Sequence, residues 1–471
     1  MSQFSALLKE YTERSGVTIK TLSEMCGIER TYLHKILKGE RKAPSVEFVS
    51  EISRQLMLSA EDRSELIKQY EIAEMGEAVY SRRKQVAEII HSMAAASAEA
   101  EKTIPFKTKI ELENVPETSV YTDSKELFRN IQVLLSYDVQ NGSDIRIIAQ
   151  PSGYLSRLLN YCFESKDSNI YHLFCVDNSG NRGSAYDNKY NLDIFPCMCE
   201  LAMEHEKYYP FFYYDNAEAH INSTSLMPQV IITDNFVICT DDKYEEGAIY
   251  RSPVMVQFYL RQFEKLRKKC MKLLEHAVDI MEYVYFWYDE AANFISMDFQ
   301  PCTMMCLTEE IFDAHATLPP DMRDLIKEKL ELGRKSLLSS SFTNLFSEKG
   351  LAEFMETGEI FELPSVLYTR PTLAERKIML QNMIVLCENG ICDYRIIKND
   401  YFASSRNLCI NVAENSSLNI VARNDSFKDF SYMKVNETSV IQAFWDYYNY
   451  LLTTDNVCTP EETIEIMRSY L

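Results

Sequence analysis

Four side chains between Arg30 and Lys35 could read the edges of DNA base pairs. Arg30 and Lys35 carry donors that suit guanine, and the methyl group of Thr31 suits thymine. His34 lies on the same outward side of a predicted helix that begins at residue 29. A helix fits the major groove and meets base edges through its N-terminal outward residues. These four residues are therefore the predicted base-contacting set.

A second set of polar and basic side chains is predicted to contact the sugar-phosphate backbone, which fixes orientation without reading sequence. The set comprises Thr18, Lys20, Tyr32, Lys38, Arg41 and Lys42. Eight lysines and arginines accompany five glutamates in residues 1–45, a net charge of +3, and the remaining residues carry −24. One copy would make few phosphate contacts, and the acidic remainder would repel phosphate. We therefore expect a homodimer on double-stranded DNA, at a pseudo-palindromic operator with half-sites about one helical turn apart.

Five short helices must position these side chains within an N-terminal domain of residues 1–75. Thr18 and Ser59 are predicted to cap the second and fifth helices, Gly16 to end the first, and Gly27 to allow a tight turn. The apolar spacing predicts helices over residues 3–13, 18–25, 29–37, from 44 onward, and 60–70.

The stretch from Thr18 to Gly39 resembles the Cro/lambda-repressor (XRE) family of helix-turn-helix domains. The matching positions are Ser23 at the helix crossing, Gly27 at the turn, Ile28 buried after it, Leu33 and Ile36 on the inward face of the recognition helix, and residues 39–45 as the exit loop. The resemblance implies a bacterial DNA-binding transcriptional regulator, either a repressor or an activator.

Two positions depart from the pattern of this family. Ile19 stands where the family often has a glutamine that contacts phosphate. Glu29 stands where a serine or threonine usually caps the recognition helix, and it places an acid near the DNA. These departures affect individual contacts more than the fold.

Residues 76–105 are predicted to form a helix followed by a hinge. An apolar stripe within Val86–Met93 either pairs with its copy in a dimer or packs against the rest of the chain. Beyond Pro105, helices alternate with apolar strands, which indicates an α/β body with domains at residues 106–282 and 283–471. One long helix is predicted from Val254 to Ala277.

Two stretches of the body look like copies of one strand–turn–strand–helix unit. Residues 228–240 precede a helix at 254–266, and residues 407–422 precede a helix at 440–452. We predict an internal duplication. The alternative is a chance match, because this unit is common.

Paired α/β halves of this kind resemble the phospholipase D-like fold, in which catalysis needs a His-x-Lys and a downstream aspartate from each half. His205 and Lys207 match by letters, but Phe212 stands where the aspartate should be. The second half has no such motif, because His315 is the last histidine. The resemblance implies a degenerate, non-catalytic relative, and we predict no catalytic residues and no enzyme activity.

Thirteen cysteines are scattered singly, and none has zinc-site spacing. We predict free thiols in a reducing cytoplasm, with no metal and no cofactor. The chain opens with a charged amphipathic segment and has no apolar run of about 18 residues, so we expect neither a secretory leader nor a membrane span.

The sequence thus predicts a multidomain protein in which an all-α helix-turn-helix domain precedes an α/β body. We expect the body to sense a small-molecule or peptide effector and to shift the two DNA-binding domains of a dimer. Aromatic clusters at Tyr208–Tyr214 and Tyr283–Tyr288 would line a ligand pocket or a dimer surface, or would pack in the core. Two alternatives stay open: a phosphodiesterase-like enzyme targeted by its N-terminal domain, and a self-repressing antitoxin or phage-defence adaptor.

Overall fold

The computed structural model divides the chain after Gln85 into two compact units. The division falls inside the stretch predicted as a linker. The residues that the structure describes are 2–98, 111–162, 168–177, 189–217, 227–277, 293–339, 341–361, 367–398, 406–423 and 430–471. The predicted aromatic cluster at Tyr283–Tyr288 and the predicted hinge from residue 99 lie outside them.

The N-terminal unit is helical, as its apolar spacing predicts. Its helices are α1 (Gln3–Ser15), α2 (Ile19–Met25), α3 (Arg30–Leu37), α4 (Val46–Gln55) and α5 (Ala60–Met75), and α6 (Glu77–Ala98) begins in it. One apolar side of each of α1 to α5 faces a shared core, in which Leu22, Leu33 and Ile52 are completely buried. This burial, more than helix propensity, holds such short helices in place.

Local capping chemistry sets where these helices begin and end. The Thr18 hydroxyl accepts a hydrogen bond from the Thr21 amide at 3.2 Å, and Ser59 caps α5 in the same way. Gly16 ends α1 in the left-handed region, with φ of 71°, where a side chain would be strained. The predicted caps and the predicted helix end are therefore confirmed.

The first half of the body is a mixed sheet with helices on its two faces. Its order is β1-β7-β6-β5-β2-β3-β4-β8, and β2, β3 and β4 run parallel. The strands are β1 (Thr118–Tyr121), β2 (Ile145–Ile148), β3 (Ile170–Asp177), β4 (Tyr208–Asp215), β5 (Gln229–Ile232), β6 (Val237–Thr240), β7 (Gly247–Tyr250) and β8 (Met271–Lys272). The helices are α7 (Ser124–Gln140), α8 (Gly153–Cys162), α9 (Lys189–Glu204) and α10 (Pro253–Arg267).

The second half is built around a sheet of order β12-β11-β10-β13-β14-β15-β9, in which β10, β11 and β12 run parallel. The strands are β9 (Leu274–Ala277), β10 (Phe294–Met297), β11 (Phe342–Ser347), β12 (Asp393–Ile397), β13 (Leu408–Ala413), β14 (Ser417–Arg423) and β15 (Phe430–Val435). The helices are α11 (Glu309–His315), α12 (Pro320–Ser339), α13 (Glu348–Thr357), α14 (Leu373–Glu388), α15 (Thr438–Leu451) and α16 (Pro460–Arg468).

The two sheets repeat one topology. Read from one edge, β1-β7-β6-β5-β2-β3-β4 matches β9-β15-β14-β13-β10-β11-β12 strand for strand, with three parallel strands and antiparallel neighbours at the same places. In each half a helix starts three residues after the last antiparallel strand: α10 follows β7 and α15 follows β15. The topology of the two sheets confirms the predicted duplication. The two predicted copies of the strand–turn–strand–helix unit are β5, β6 and α10 in the first half and β13, β14 and α15 in the second.

The halves are joined by one short segment and by a helix contact. The Leu273 amide donates to the Pro210 carbonyl in the first sheet, and the Leu273 carbonyl accepts from the Asn436 amide in the second. The predicted helix to Ala277 is therefore too long. Met271–Lys272 form β8 of the first sheet, and Leu274–Ala277 form β9 of the second sheet. Helix α9 packs against α15, where the Phe195 and Phe444 rings meet edge to face with centroids 6.0 Å apart.

The apolar stripe of α6 is buried in the body. Val86, Ile89, Ile90 and Met93 are all buried and belong to the same core as α7 and α8. Of the two predicted roles of this stripe, packing against the body is the one that the structure shows.

Candidate nucleic-acid interface

Helix α3 is fixed in the N-terminal unit by its inward side. Leu33 and Ile36 are completely buried and Leu37 nearly so. Their spacing leaves the opposite side of α3 facing solvent. The helix therefore presents its outward side chains from a rigid base.

A tight turn sets the angle between α2 and α3. Gly27 adopts φ of 64°, and the Ile28 amide donates to the Ser23 carbonyl at 3.0 Å. Ser23 is buried at the crossing, where a larger side chain would push the two helices apart. These are the positions on which the resemblance to a helix-turn-helix domain depends.

All four predicted base-contacting side chains are exposed on the outer side of α3: Arg30, Thr31, His34 and Lys35. In the described part of the chain, neither Arg30 nor Lys35 forms an ion pair, so both cations are available to an outside partner. The structure brings these four side chains together on one accessible surface. Their contacts with bases stay a prediction.

Two of the predicted backbone-contacting residues hold each other in position. The Arg41 guanidinium lies over the Tyr32 ring, 4.7 Å from its centroid, and Tyr32 meets Phe48 edge to face. A guanidinium stacked on an aromatic ring keeps its outward N–H groups for phosphate. Lys38, at the end of α3, is exposed nearby in sequence. The exit loop thus carries an ordered cation, which residue spacing alone does not reveal.

The other three predicted backbone-contacting residues already have partners. Lys42 pairs with Glu74 of α5 at 3.1 Å, and Lys20 lies 3.9 Å from Glu24. Thr18 uses its hydroxyl to cap α2. Phosphate would have to compete with Glu74 for Lys42, so this lysine is the weakest candidate of the set. Residue spacing does not signal this pair, because its members are 32 residues apart.

A family model described as a helix-turn-helix domain matches residues 3–66. Residues 3–66 form a helix-turn-helix domain. The matched range covers α1 to α4 and the first part of α5, and therefore the whole candidate surface. No curated protein matches the chain.

Two solved structures can be aligned with large parts of the chain. Phosphatidylserine synthase from Haemophilus influenzae Rd KW20 covers 77% of this chain and 93% of its own, at 9% identity and a TM-score of 0.22. TrmBL2, an archaeal chromatin protein described as showing a novel mode of DNA binding, covers 58% and 95%, at 12% identity and a TM-score of 0.23.

The start of α3 lacks a side-chain cap. Glu29 occupies the N-cap position, and its carboxylate makes no capping hydrogen bond. We expect Glu29→Ser to stabilise the domain by about 0.5–1 kcal/mol, because a serine hydroxyl satisfies an orphan amide of the first turn. DNA binding should tighten about twofold as one exposed acid leaves the surface. Thermal unfolding and duplex titration measure the two effects, and Glu13→Ser, which removes an exposed acid outside this position, should reproduce neither.

The motif letters and cysteines of the body do not assemble into a metal site in the residues that are described. No group of His, Cys, Asp or Glu side chains there could hold a metal ion, and the thirteen cysteines are free. His205 hydrogen-bonds Asn160 at 2.9 Å, burial lowers its pKa to about 4, and Phe212 is buried in the core. Among the helices that are described, none combines the length and apolar composition that a bilayer crossing demands.

One buried carboxyl group lies at the end of β10. The Asn344 side chain donates to Asp298 Oδ2 and to the Ser296 hydroxyl, both at 2.6 Å, and accepts from the Cys302 amide. Burial raises the pKa of Asp298 to about 6, although hydrogen bonds from Cys409, Ser296 and Asn344 oppose the rise. The folded body therefore holds this proton more tightly than the unfolded chain, whose aspartates have a pKa of about 3.9.

The contribution of Asp298 to the free energy of unfolding should fall as pH rises from 4 to 7. The buried histidines His172 and His205, whose pKa is lowered to about 4, act in the opposite direction, so the effect is the difference between wild type and Asp298→Asn. Below about pH 4 Asp298 is neutral in both states, and above about pH 6 the folded state bears the full cost of its ionisation, about 3 kcal/mol. In Asp298→Asn this loss should disappear, which urea unfolding at several pH values will measure. The exposed control Asp324→Asn should keep the wild-type profile; equal profiles for all three proteins would contradict the assignment.

Proposed function

We propose that the protein is a sequence-specific, DNA-binding transcriptional regulator that acts in the cytoplasm. The observation that carries the proposal is the outer side of α3. Arg30, Thr31, His34 and Lys35 are exposed together on a helix whose inner side is buried in a helix-turn-helix domain. An exposed donor-rich helix of this kind suits the major groove.

The proposed active form is a homodimer. Residues 1–45 carry only +3, so one domain contributes few phosphate contacts and would bind DNA weakly. Once one domain of a dimer has bound its half-site, the second domain is held near the other half-site at a greatly increased effective concentration. A pseudo-palindromic operator follows from the two-fold symmetry of such a dimer.

The proposed role of the body is to sense a small-molecule or peptide effector. A small apolar pocket of about 30 Å³ lies beside α11 and α12 in the second half, lined by Ile311, Phe312, Leu318 and Ile326 among others, and a ligand larger than a water molecule would have to widen it. His315 also lines it, but both its ring nitrogens are engaged, with Thr369 and Glu375. A ligand there would be held by apolar contact, and its binding would shift the dimer only if it favoured one of two states.

Selection of bound duplexes from a random library, with and without cell metabolites, tests the proposal. We expect enrichment of two related half-sites and, in size-exclusion chromatography at micromolar concentration, the mass of a dimer. A monomer that enriches no palindromic sequence would contradict the proposal.

A further inference from the structure

A row of exposed cations follows the second half of α10 and continues into β8. We call it the basic row, and it consists of Arg261, Lys265, Lys268, Lys269 and Lys272. The first three are four and three residues apart and share one side of the helix. The opposite side of α10 is buried on the first sheet through Val256 and Phe263. The row therefore projects from a fixed element.

The basic row stands out against the acidity of the chain. Residues 261–272 contain six lysines and arginines and a single acid, a net +5 in a protein of net charge −21. That acid, Glu264, pairs with Arg267 at 2.8 Å, and Arg267 is not part of the row. Within the described residues, none of the five cations of the row forms an ion pair. Their charges are available to an outside partner.

Helix stability does not account for this row. Cations near a C-terminus interact favourably with the helix dipole, but only within the last turn. Arg261 lies before that turn, and Lys272 lies beyond the helix on β8. From Arg261 to Lys268 the row spans about 10 Å along the helix axis. That length matches about three base-pair steps of 3.4 Å.

We propose that the basic row binds the phosphate backbone of duplex DNA, in addition to the contacts proposed for α3; this rests on the proposed function. Of the exposed apolar side chains nearby, Val254 and Phe258 lie at the other end of α10 and Met271 lies beside Lys272 on β8, so none lies between Arg261 and Lys269. A helix that lies on a membrane instead carries apolar side chains along its length. Phosphate neutralisation needs only spaced cations, and the N-terminal unit supplies few of them.

The test compares full-length proteins on a random-sequence duplex of about 40 base pairs, long enough for several phosphate contacts. The row variant is Lys265→Gln/Lys268→Gln/Lys269→Gln. Each phosphate contact adds about 0.9 to the slope of log affinity against log salt, so the slope should become shallower by about 2.7. Between 50 and 200 mM salt the wild type should therefore lose about 40-fold more affinity than this variant.

A matched variant removes the same charge elsewhere on the body. Lys125→Gln/Arg129→Gln/Lys335→Gln changes three exposed cations outside the row and should keep the wild-type slope. Circular dichroism melts must coincide for all proteins. A shallower slope in both triple variants would overturn the proposal, because net charge alone would then explain the effect.

The remaining outcomes separate this proposal from the proposed function. If the row variant keeps the wild-type slope while Arg30→Ala/Lys35→Ala weakens binding, the row does not touch DNA and the proposed function stands. If the wild type binds no duplex, both proposals fail. An unchanged DNA slope with lost binding to phosphatidylserine vesicles, or with an altered oligomeric state, would overturn the DNA assignment in favour of a lipid or protein partner.

Discussion

The double variant Arg30→Ala/Lys35→Ala should lose at least about 30-fold in affinity for the selected operator. Both side chains are exposed on the outer side of α3 and carry donors that suit guanine. Each good base contact is worth about 1–3 kcal/mol of discrimination, so specific binding should fall more than binding to random duplex. Fluorescence anisotropy with both duplexes at one salt concentration measures the two losses.

The matched control removes two cations from other helices of the same domain. Lys9→Ala/Arg54→Ala changes exposed residues of α1 and α4, each paired with a glutamate of its own helix. We expect operator affinity to change by less than about threefold, because exposed ion pairs contribute little. Equal losses in the two double variants would show that α3 does not read the bases.

Phe444→Ala should destabilise the body by about 3–5 kcal/mol. Phe444 is completely buried in α15 and meets Phe195 of α9 and Tyr448 of its own helix edge to face. Removing the ring leaves a cavity at the contact between the two halves, and close packing allows little relaxation there. Urea unfolding followed by near-ultraviolet circular dichroism will measure the shift in midpoint.

The duplicated topology provides the control for this substitution. Phe258 lies on α10, the counterpart of α15, but its side chain is 45% exposed where Phe444 is completely buried. Phe258→Ala removes the same ring and should cost less than about 1 kcal/mol. Comparable losses for Phe444→Ala and Phe258→Ala would show that α15 is not held by its contact with α9.

The N-terminal domain follows from its sequence because its determinants are local. Capping serines and threonines, Gly16, Gly27 and the apolar spacing of α3 each act within a few residues. The apolar spacing shows which side of α3 must be buried, and the opposite side is therefore the exposed one. The Arg41–Tyr32 stack and the Lys42–Glu74 pair could not be predicted, because they depend on how separate segments pack in three dimensions.

The body was harder to predict, because its pairing is long-range. The apolar runs of β2 to β6 and the repeated unit gave the fold class and the duplication. The predicted end of α10 was wrong. Residues 271–277 form strands instead, because they pair with strands that lie far away in the sequence. The net charge of the chain also gave no indication of the basic row. A total of −21 does not show that twelve consecutive residues, 261–272, carry a net charge of +5.

The two halves of the body belong to one polypeptide, and Leu273 hydrogen-bonds to both of their sheets. Two separate half-length chains would associate according to mass action and come apart on dilution. In the linked chain, the α9–α15 contact forms at an effective concentration that dilution does not change. The body should therefore stay folded on dilution, so that in the proposed homodimer a loss of DNA binding on dilution reports on dimer dissociation and not on separation of the two halves.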